Sequence, residues 1–149
     1  MKIIGVIGGN QCTAEEYTIA QEVGKILAKS GAIIVCGGRG GIMEAACRGA
    51  SEENGLTIGI LPSDDISEAN PFVRIPVATG LGIGRNIIIV RTAQALIAID
   101  GKYGTLSEIS FALQLNKTVV ALKPFIKIPG LKLAETPQEA VEYVLKSIN

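Results

Sequence analysis

Short apolar runs rich in β-branched residues alternate along the chain with longer stretches whose apolar positions recur every three or four residues. The short runs are typical of strands buried in a parallel sheet, and the longer periodicity indicates helices with one buried face. Six strands are predicted, at residues 2–7, 32–36, 56–61, 73–77, 95–99 and 118–122. Five helices are predicted, at residues 13–30, 42–53, 86–91, 105–115 and 136–149.

The segment at residues 86–91 is ambiguous from its pattern alone. Its sequence, NIIIVR, is β-branched enough to favour a strand by propensity. It also lies between a glycine-rich turn and the firm strand at residues 95–99, where a parallel sheet needs a crossover connection. The position in the chain therefore predicts a helix.

This alternation predicts the fold class. Strands that alternate with helices of this length form a parallel sheet covered by helices on both faces, with right-handed crossovers. The chain has no composition shift, internal repeat or low-complexity segment that would mark a linker. Residues 1–149 are thus predicted to form a single doubly wound, Rossmann-like α/β domain with a mainly parallel sheet.

Glycine-rich loops follow three of the predicted strands, and each precedes a helix. In open parallel sheets ligands bind beyond the carboxyl ends of the strands, and a helix N-terminus with free N–H groups suits phosphate. Tight strand-to-helix turns also need glycine, so a single loop would be ambiguous. Three loops at the same edge of the sheet favour a site for a phosphorylated, nucleotide-like ligand. The candidate binding residues in these loops are Gly8, Gly9, Gly37, Gly38, Arg39, Gly40, Gly41, Gly101, Gly104 and Thr105.

Charge and composition exclude several classes of protein. Fourteen basic and fourteen acidic residues give no net charge, which argues against binding nucleic acid or anionic lipid through bulk charge. The chain has no histidine, which excludes His-dependent catalytic triads and His-ligated zinc. Its three cysteines are widely spaced and indicate neither a disulfide framework nor a metal site, so a reducing cytoplasm is expected. No apolar stretch is long enough for a membrane span, and no metal and no resident cofactor are predicted.

Common nucleotide motifs do not match the loops. The phosphate-binding GxxxxGK[ST] sequence is absent, and in the loop at residues 37–41 the third glycine of a GxGxxG fingerprint would fall on Met43. A G-x-S-x-G nucleophile elbow is absent as well. The chain is therefore predicted to be neither a P-loop NTPase, nor an ordinary dinucleotide-binding protein, nor an α/β-hydrolase.

The third loop and its helix, GKYGTLSE at residues 101–108, resemble the PGGxGTxxE motif of the LONELY GUY family of cytokinin-activating phosphoribohydrolases. The wider superfamily includes molybdenum-cofactor carrier proteins. The stretch GGRGGIMEAACRGA at residues 37–50 is similar to the family's second glycine loop and helix, and Arg85 lies where the family has an Arg-Lys pair. The resemblance covers most of the chain. It implies a homo-oligomer, either a dimer or a tetramer.

The resemblance also implies roles for individual residues. Gly101, Gly104 and Thr105 would hold a 5′-phosphate, with residues 37–41 lining the nucleotide pocket. Arg85 and Glu108 match the family's catalytic pair, which would make the protein an enzyme that hydrolyses the N-glycosidic bond of nucleoside 5′-monophosphates.

Two alternatives stay open at this point. Asp100, Lys102 and Asn86 depart from the family pattern and favour a non-catalytic carrier or sensor of a phosphorylated ligand, such as the molybdenum cofactor. In addition, Thr105 and Glu108 have the spacing of a helix capping box, like Thr13/Glu16 and Thr136/Glu139. A capping role would turn the carboxylate of Glu108 back onto its own helix, whereas a hydrolase would direct it at the ligand.

Overall fold

The computed structural model describes residues 1–149 and contains seven strands and five α-helices in largely alternating order. The strands are β1 (Ile3–Gly8), β2 (Ile33–Cys36), β3 (Thr57–Leu61), β4 (Ile75–Ala78), β5 (Ala95–Ile99), β6 (Val119–Leu122) and β7 (Lys132–Leu133). The helices are α1 (Ala14–Lys29), α2 (Ile42–Ser51), α3 (Asn86–Thr92), α4 (Tyr103–Gln114) and α5 (Pro137–Ser147). Two short 3-10 turns, Ile66–Glu68 and Gly82–Arg85, precede β4 and α3.

All seven strands join one parallel sheet in the order β4-β3-β2-β1-β5-β6-β7. The chain builds outward from β1 to β4 on one side and then returns to place β5 on the other side of β1. The strand order therefore reverses between β1 and β5, and the carboxyl ends of these two strands flank the crevice where such sheets bind ligands. The predicted Rossmann-like α/β fold with a parallel sheet is confirmed.

Two apolar layers cover the sheet. Helices α1, α2 and α5 pack on one face, where Ile4, Leu27 and Ile97 belong to the larger buried cluster. Helices α3 and α4 pack on the other face, where Ile89 and Ile109 belong to a second cluster. β5 is buried along its whole length, which explains why its sequence, ALIAI, contains no polar residue.

Most predicted elements match the structure. The ambiguous segment is helical, as its position in the chain predicted, because Ile89 and Val90 of α3 pack into the core rather than pairing with a neighbouring strand. The short edge strand β7 was not predicted. It contributes only two residues, paired with Val120 and Ala121 of β6, and a run of two has no recognisable period.

The helix starts differ from one another. Thr13 forms the predicted capping box with Glu16, and the side chain of Thr136 accepts a hydrogen bond from the N–H of Glu139. The predicted box at Thr105 and Glu108 is wrong, because the N-cap of α4 is Lys102, three residues before Thr105, and the helix begins at Tyr103. None of the five helices has the length and apolar character of a membrane-spanning segment.

Candidate functional site

A cavity of about 420 Å³ lies at the carboxyl ends of β1 and β5. Its walls come from the loop after β1, the loop between β5 and α4, the 3-10 turn before α3, and the first two turns of α4. This volume falls in the range of about 300–1,000 Å³ that is usual for small-molecule sites. Seven predicted site residues line it, namely Gly8, Gly9, Arg85, Gly101, Gly104, Thr105 and Glu108.

The glycine loop at residues 37–41 lies behind the cavity wall instead of lining the cavity. Two of its N–H groups are engaged within the protein: Gly38 donates to Sγ of Cys36, and Gly40 donates to Oδ1 of Asn10 at 2.8 Å. The carbonyl of Arg39 accepts a hydrogen bond from Asn70. Gly41 packs against the loop after β1, where an added Cβ would lie 2.2 Å from the carbonyl oxygen of Gly9. The loop thus supports the cavity floor through protein contacts.

The turn between β5 and α4 has an unusual backbone. Asp100 and Gly101 both have positive φ angles, 46° and 121°. A Cβ at Gly101 would lie 2.3 Å from Oγ1 of Thr105, so this position leaves no room for a side chain. The turn brings the chain sharply from the end of β5 into α4.

The start of α4 lies beside the cavity and has no side-chain cap. Its N-cap is Lys102, and no side chain accepts a hydrogen bond from the first turn. The starts of α1 and α5, by contrast, are capped by threonine side chains, and the first N–H of α2 donates to the carbonyl of Gly9. Gly104 and Thr105 of the first turn line the cavity. Uncapped N–H groups at the positive end of a helix dipole form a ready site for an anion.

Arg85 supplies a cation to the cavity from the opposite side. One Nη donates a hydrogen bond to Oδ1 of Asn86, while the buried Nε has no partner in the protein. Burial lowers the pKa of Arg85, and the charge of Arg39 lowers it further, while Glu108 and Cys36 oppose the shift. Arg85 lines the cavity, so its positive charge can stabilise an anionic ligand there.

Glu108 lies in the second turn of α4 and lines the cavity with only 6% of its surface exposed. Burial raises its pKa to about 8, although the positive charge of Arg85 opposes this rise and Cys36 adds to it. The two ion pairs of the protein are Lys29–Glu53 and Lys123–Glu15, so Glu108 forms none with Arg85. The carboxyl group is therefore mostly protonated at pH 7, and it carries little charge that would repel an anion.

Asn86 connects the two sides of the cavity and was not among the residues selected from sequence. Its Nδ2 donates to Oγ of Ser107, which in turn donates to the carbonyl of Gly104. Its Oδ1 accepts the hydrogen bond from Arg85. In the sequence, Asn86 stands out only as a departure from the family pattern, and nothing in the sequence indicates that residues 86 and 107 meet. Asn10, Gln11, Met43, Pro62 and Ile83 also line the cavity without having been selected.

These observations define a class: a doubly wound α/β protein with a cavity at its topological switch point, lined by Arg85 and by the first turn of α4. A family model described as "SLOG cluster4 family" matches residues 1–147, and the chain belongs to this family. The match confirms the predicted resemblance to the superfamily of LONELY GUY and molybdenum-cofactor carrier proteins.

Individual relatives agree with this assignment. The chain is 46% identical over 145 residues to an uncharacterized protein of Archaeoglobus fulgidus, covering 97% of this chain and 95% of the relative. Among solved structures it is similar to the molybdenum cofactor binding protein of Rippkaea orientalis, with 35% identity, a TM-score of 0.93, and 99% and 98% of the two chains covered. It is also similar to the molybdenum cofactor carrier protein of Chlamydomonas reinhardtii, with 32% identity, a TM-score of 0.87, and 98% of each chain covered.

Proposed function

We propose that this protein binds the molybdenum cofactor, a phosphorylated pterin, in the cavity between β1 and β5 and carries it without altering it. The observation that carries the proposal is the guanidinium of Arg85, which lines a cavity that also receives the uncapped start of α4. Both features stabilise an anionic group. The similarity to two proteins described as binding or carrying this cofactor supports the choice of ligand.

The protonation of Glu108 supports a carrier. In phosphoribosyl hydrolysis a carboxylate would stabilise the cationic ribose in the transition state. A carboxyl group with a pKa of about 8 is mostly neutral at pH 7 and does this poorly. The same neutral group can donate a hydrogen bond to the ligand, and it does not repel a phosphate.

Anaerobic reconstitution tests the proposal. The full chain would be mixed with molybdenum cofactor released from a purified molybdenum enzyme, and the complex separated by size-exclusion chromatography. We expect molybdenum and pterin to elute with the protein at about one equivalent each. Failure of both to elute with folded protein would overturn the proposal.

A matched pair of variants locates the site. We expect Arg85→Met to lower the amount of bound cofactor about tenfold, because the anion loses a charged donor in the cavity wall. Arg91→Met removes an exposed guanidinium from the other end of α3 and should bind like the natural chain. Equal losses in the two variants would contradict a site at Arg85.

One observation favours a second function, hydrolysis of nucleoside 5′-monophosphates. Glu108 lines the cavity instead of capping its helix, and an acid with a pKa of about 8 can donate a proton to a departing base at neutral pH. The test is incubation with a panel of nucleoside 5′-monophosphates and chromatography for free base and ribose 5-phosphate. Release that disappears in Glu108→Gln would support the hydrolase, and no release by folded protein would exclude it for these substrates.

A homo-oligomer, dimer or tetramer, stays a prediction. Exposed apolar side chains near the cavity mouth support it, with Ile83 89% and Tyr103 88% exposed. Exposed apolar patches often mark contacts between protein chains. Light scattering coupled to size-exclusion chromatography would give the mass in solution, and a mass of about one chain would contradict the prediction.

A further inference from the structure

Three sulfur-bearing side chains form one buried cluster directly behind the cavity. Cys36 ends β2, and Met43 and Cys47 lie one turn apart on the face of α2 that covers it. Both cysteines are fully buried and free, and their Sγ atoms are 3.6 Å apart. Met43 is 7% exposed and lines the cavity, so the cluster communicates with the cavity through this residue.

The sulfur separation suits a shared metal ion. With metal–thiolate bonds of about 2.3 Å, two sulfur atoms that lie 3.6 Å apart subtend an angle of about 100° at the metal. Met43 belongs to the same buried cluster, so its thioether is the candidate for a third, neutral donor. Thiolate and thioether donors select soft cations, above all Cu(I).

The surroundings offset the charge that such a site would bury. Two thiolates and one Cu(I) carry a net negative charge, which is costly to bury without a partner. The N–H of Gly38 points at Sγ of Cys36 at 3.4 Å. The guanidinium of Arg85 lies against Gly37, where a Cβ would stand 2.7 Å from an Nη and 2.7 Å from Sδ of Met43. A donor and a cation therefore lie next to the sulfur cluster.

We propose that Cys36, Cys47 and Met43 form a Cu(I) site beneath the cavity, which metal ions reach past Met43. Binding releases the two thiol protons and leaves copper in the same oxidation state. The sequence predicted no metal site, and no group of three His, Cys, Asp or Glu side chains in the protein can hold a metal. The proposed Cu(I) site is not of that kind, because its third donor is a methionine.

The test is an anaerobic titration of the reduced full chain with Cu(I) in competition with bathocuproine disulfonate. We expect one tightly bound Cu(I) per chain. Loss of an outer-shell partner weakens metal binding by roughly 10–100-fold. Cys36→Ser and Cys47→Ser each remove a direct ligand, so each should weaken Cu(I) binding by more than that. Met43→Leu should weaken it about tenfold, because the thiolates stay in place and one neutral donor is lost.

Cys12→Ser is the matched control, because this half-buried cysteine lies outside the cluster. The Cys12→Ser variant should bind Cu(I) with the same affinity as the natural chain. No Cu(I) binding, or binding that only Cys12→Ser abolishes, would overturn the proposal. X-ray absorption of the copper-loaded natural chain keeps the test valid if a cysteine variant fails to fold. We expect about three sulfur neighbours at roughly 2.3 Å, and a shell of nitrogen or oxygen donors would contradict the site.

Discussion

The guanidinium of Arg85 lies directly against the backbone of Gly37, so close that a Cβ at position 37 would stand 2.7 Å from its Nη2. The contact joins the glycine loop after β2 to the turn that begins α3. Gly37 does not line the cavity, although the resemblance implied that it would. Its structural contribution is to leave room for Arg85 to reach the cavity wall.

We therefore expect Gly37→Ala to weaken the proposed binding of the molybdenum cofactor while leaving the fold intact. The three atoms nearest to the new methyl group belong to two flexible side chains, Arg85 and Met43, so the free energy of unfolding should change by less than about 1 kcal/mol. Arg85 must move, however, and cofactor affinity should fall about tenfold. Equilibrium binding and thermal melts measure the two effects separately.

Gly84→Ala is the control for this variant. Its Cβ would meet only Cβ of Leu81, at an ordinary distance of 3.7 Å, even though position 84 adjoins Arg85. Unchanged affinity in Gly37→Ala, or an equal loss in both variants, would show that the packing of Arg85 on Gly37 does not affect the site.

The pKa of Glu108 predicts how stability depends on pH. Below about pH 4.5 the side chain is protonated in both the folded and the unfolded chain. Between about pH 4.5 and 8 the unfolded chain releases this proton and the folded chain keeps it, so the free energy of unfolding falls as pH rises. Above about pH 8 both states are ionised and the loss is complete.

The side chain introduced by Glu108→Gln cannot release a proton, so the free energy of unfolding of this variant should not fall with pH in this way. Relative to the natural chain, its free energy of unfolding should rise between pH 5 and pH 8, by up to about 4 kcal/mol at 1.36 kcal/mol per pH unit. Urea unfolding at several pH values measures the difference. Glu22→Gln, at an exposed position on α1, should show no such trend. Parallel curves for Glu108→Gln and the natural chain would mean that Glu108 is ionised in the folded protein.

The pattern T-x-x-E shows how far the sequence could predict this structure. It occurs at residues 13–16, 105–108 and 136–139, and at the first and last of these the threonine caps a helix. At the middle one, the turn through Gly101 starts α4 three residues earlier than a cap at Thr105 would, and Thr105 and Glu108 lie inside the helix. Both side chains are then buried. Local spacing cannot distinguish these cases, because the start of α4 is set by the backbone of Asp100 and Gly101.

Six of the seven strands, and the position of the cavity at the carboxyl ends of the strands, were predictable, because apolar period and chain order determine both. The contacts that build the cavity could not be predicted from the sequence. Asn86 meets Ser107, and Arg85 meets Gly37, only after α3 and α4 pack side by side on the sheet. These pairs are 21 and 48 residues apart in sequence, and no periodicity relates them.

Thr13 should contribute measurably to stability through its capping box. Its Oγ1 accepts a hydrogen bond from the N–H of Glu16, whose carboxylate accepts one from the N–H of Thr13. Thr13→Ala should lower the free energy of unfolding by about 1 kcal/mol. Thr18→Ala is the control, since Thr18 lies exposed within α1 and its hydroxyl only bonds back to the carbonyl of Ala14. Equal melting temperatures for the two variants would exclude a stabilising cap.

Lys117 should stabilise the helix that carries the site. Its Nζ donates hydrogen bonds to the carbonyls of Val90, Arg91 and Ala93, at 2.6, 3.0 and 2.5 Å, and so closes the C-terminal end of α3. A cation at this end of a helix also suits the helix dipole. Lys117→Met keeps most of the apolar stem but removes all three donors. We expect the free energy of unfolding to fall by about 2–3 kcal/mol.

A decrease of about 2–3 kcal/mol in the free energy of unfolding lowers the melting temperature by roughly 5–10 °C in a chain of this length. Lys127→Met, at an exposed lysine with no such contacts, should melt within about 1 °C of the natural chain. Arg85 and Asn86 lie at the opposite end of α3, so amide hydrogen exchange along this helix should also become faster in Lys117→Met. A normal melting temperature with unchanged exchange in α3 would show that water replaces the ammonium group without cost.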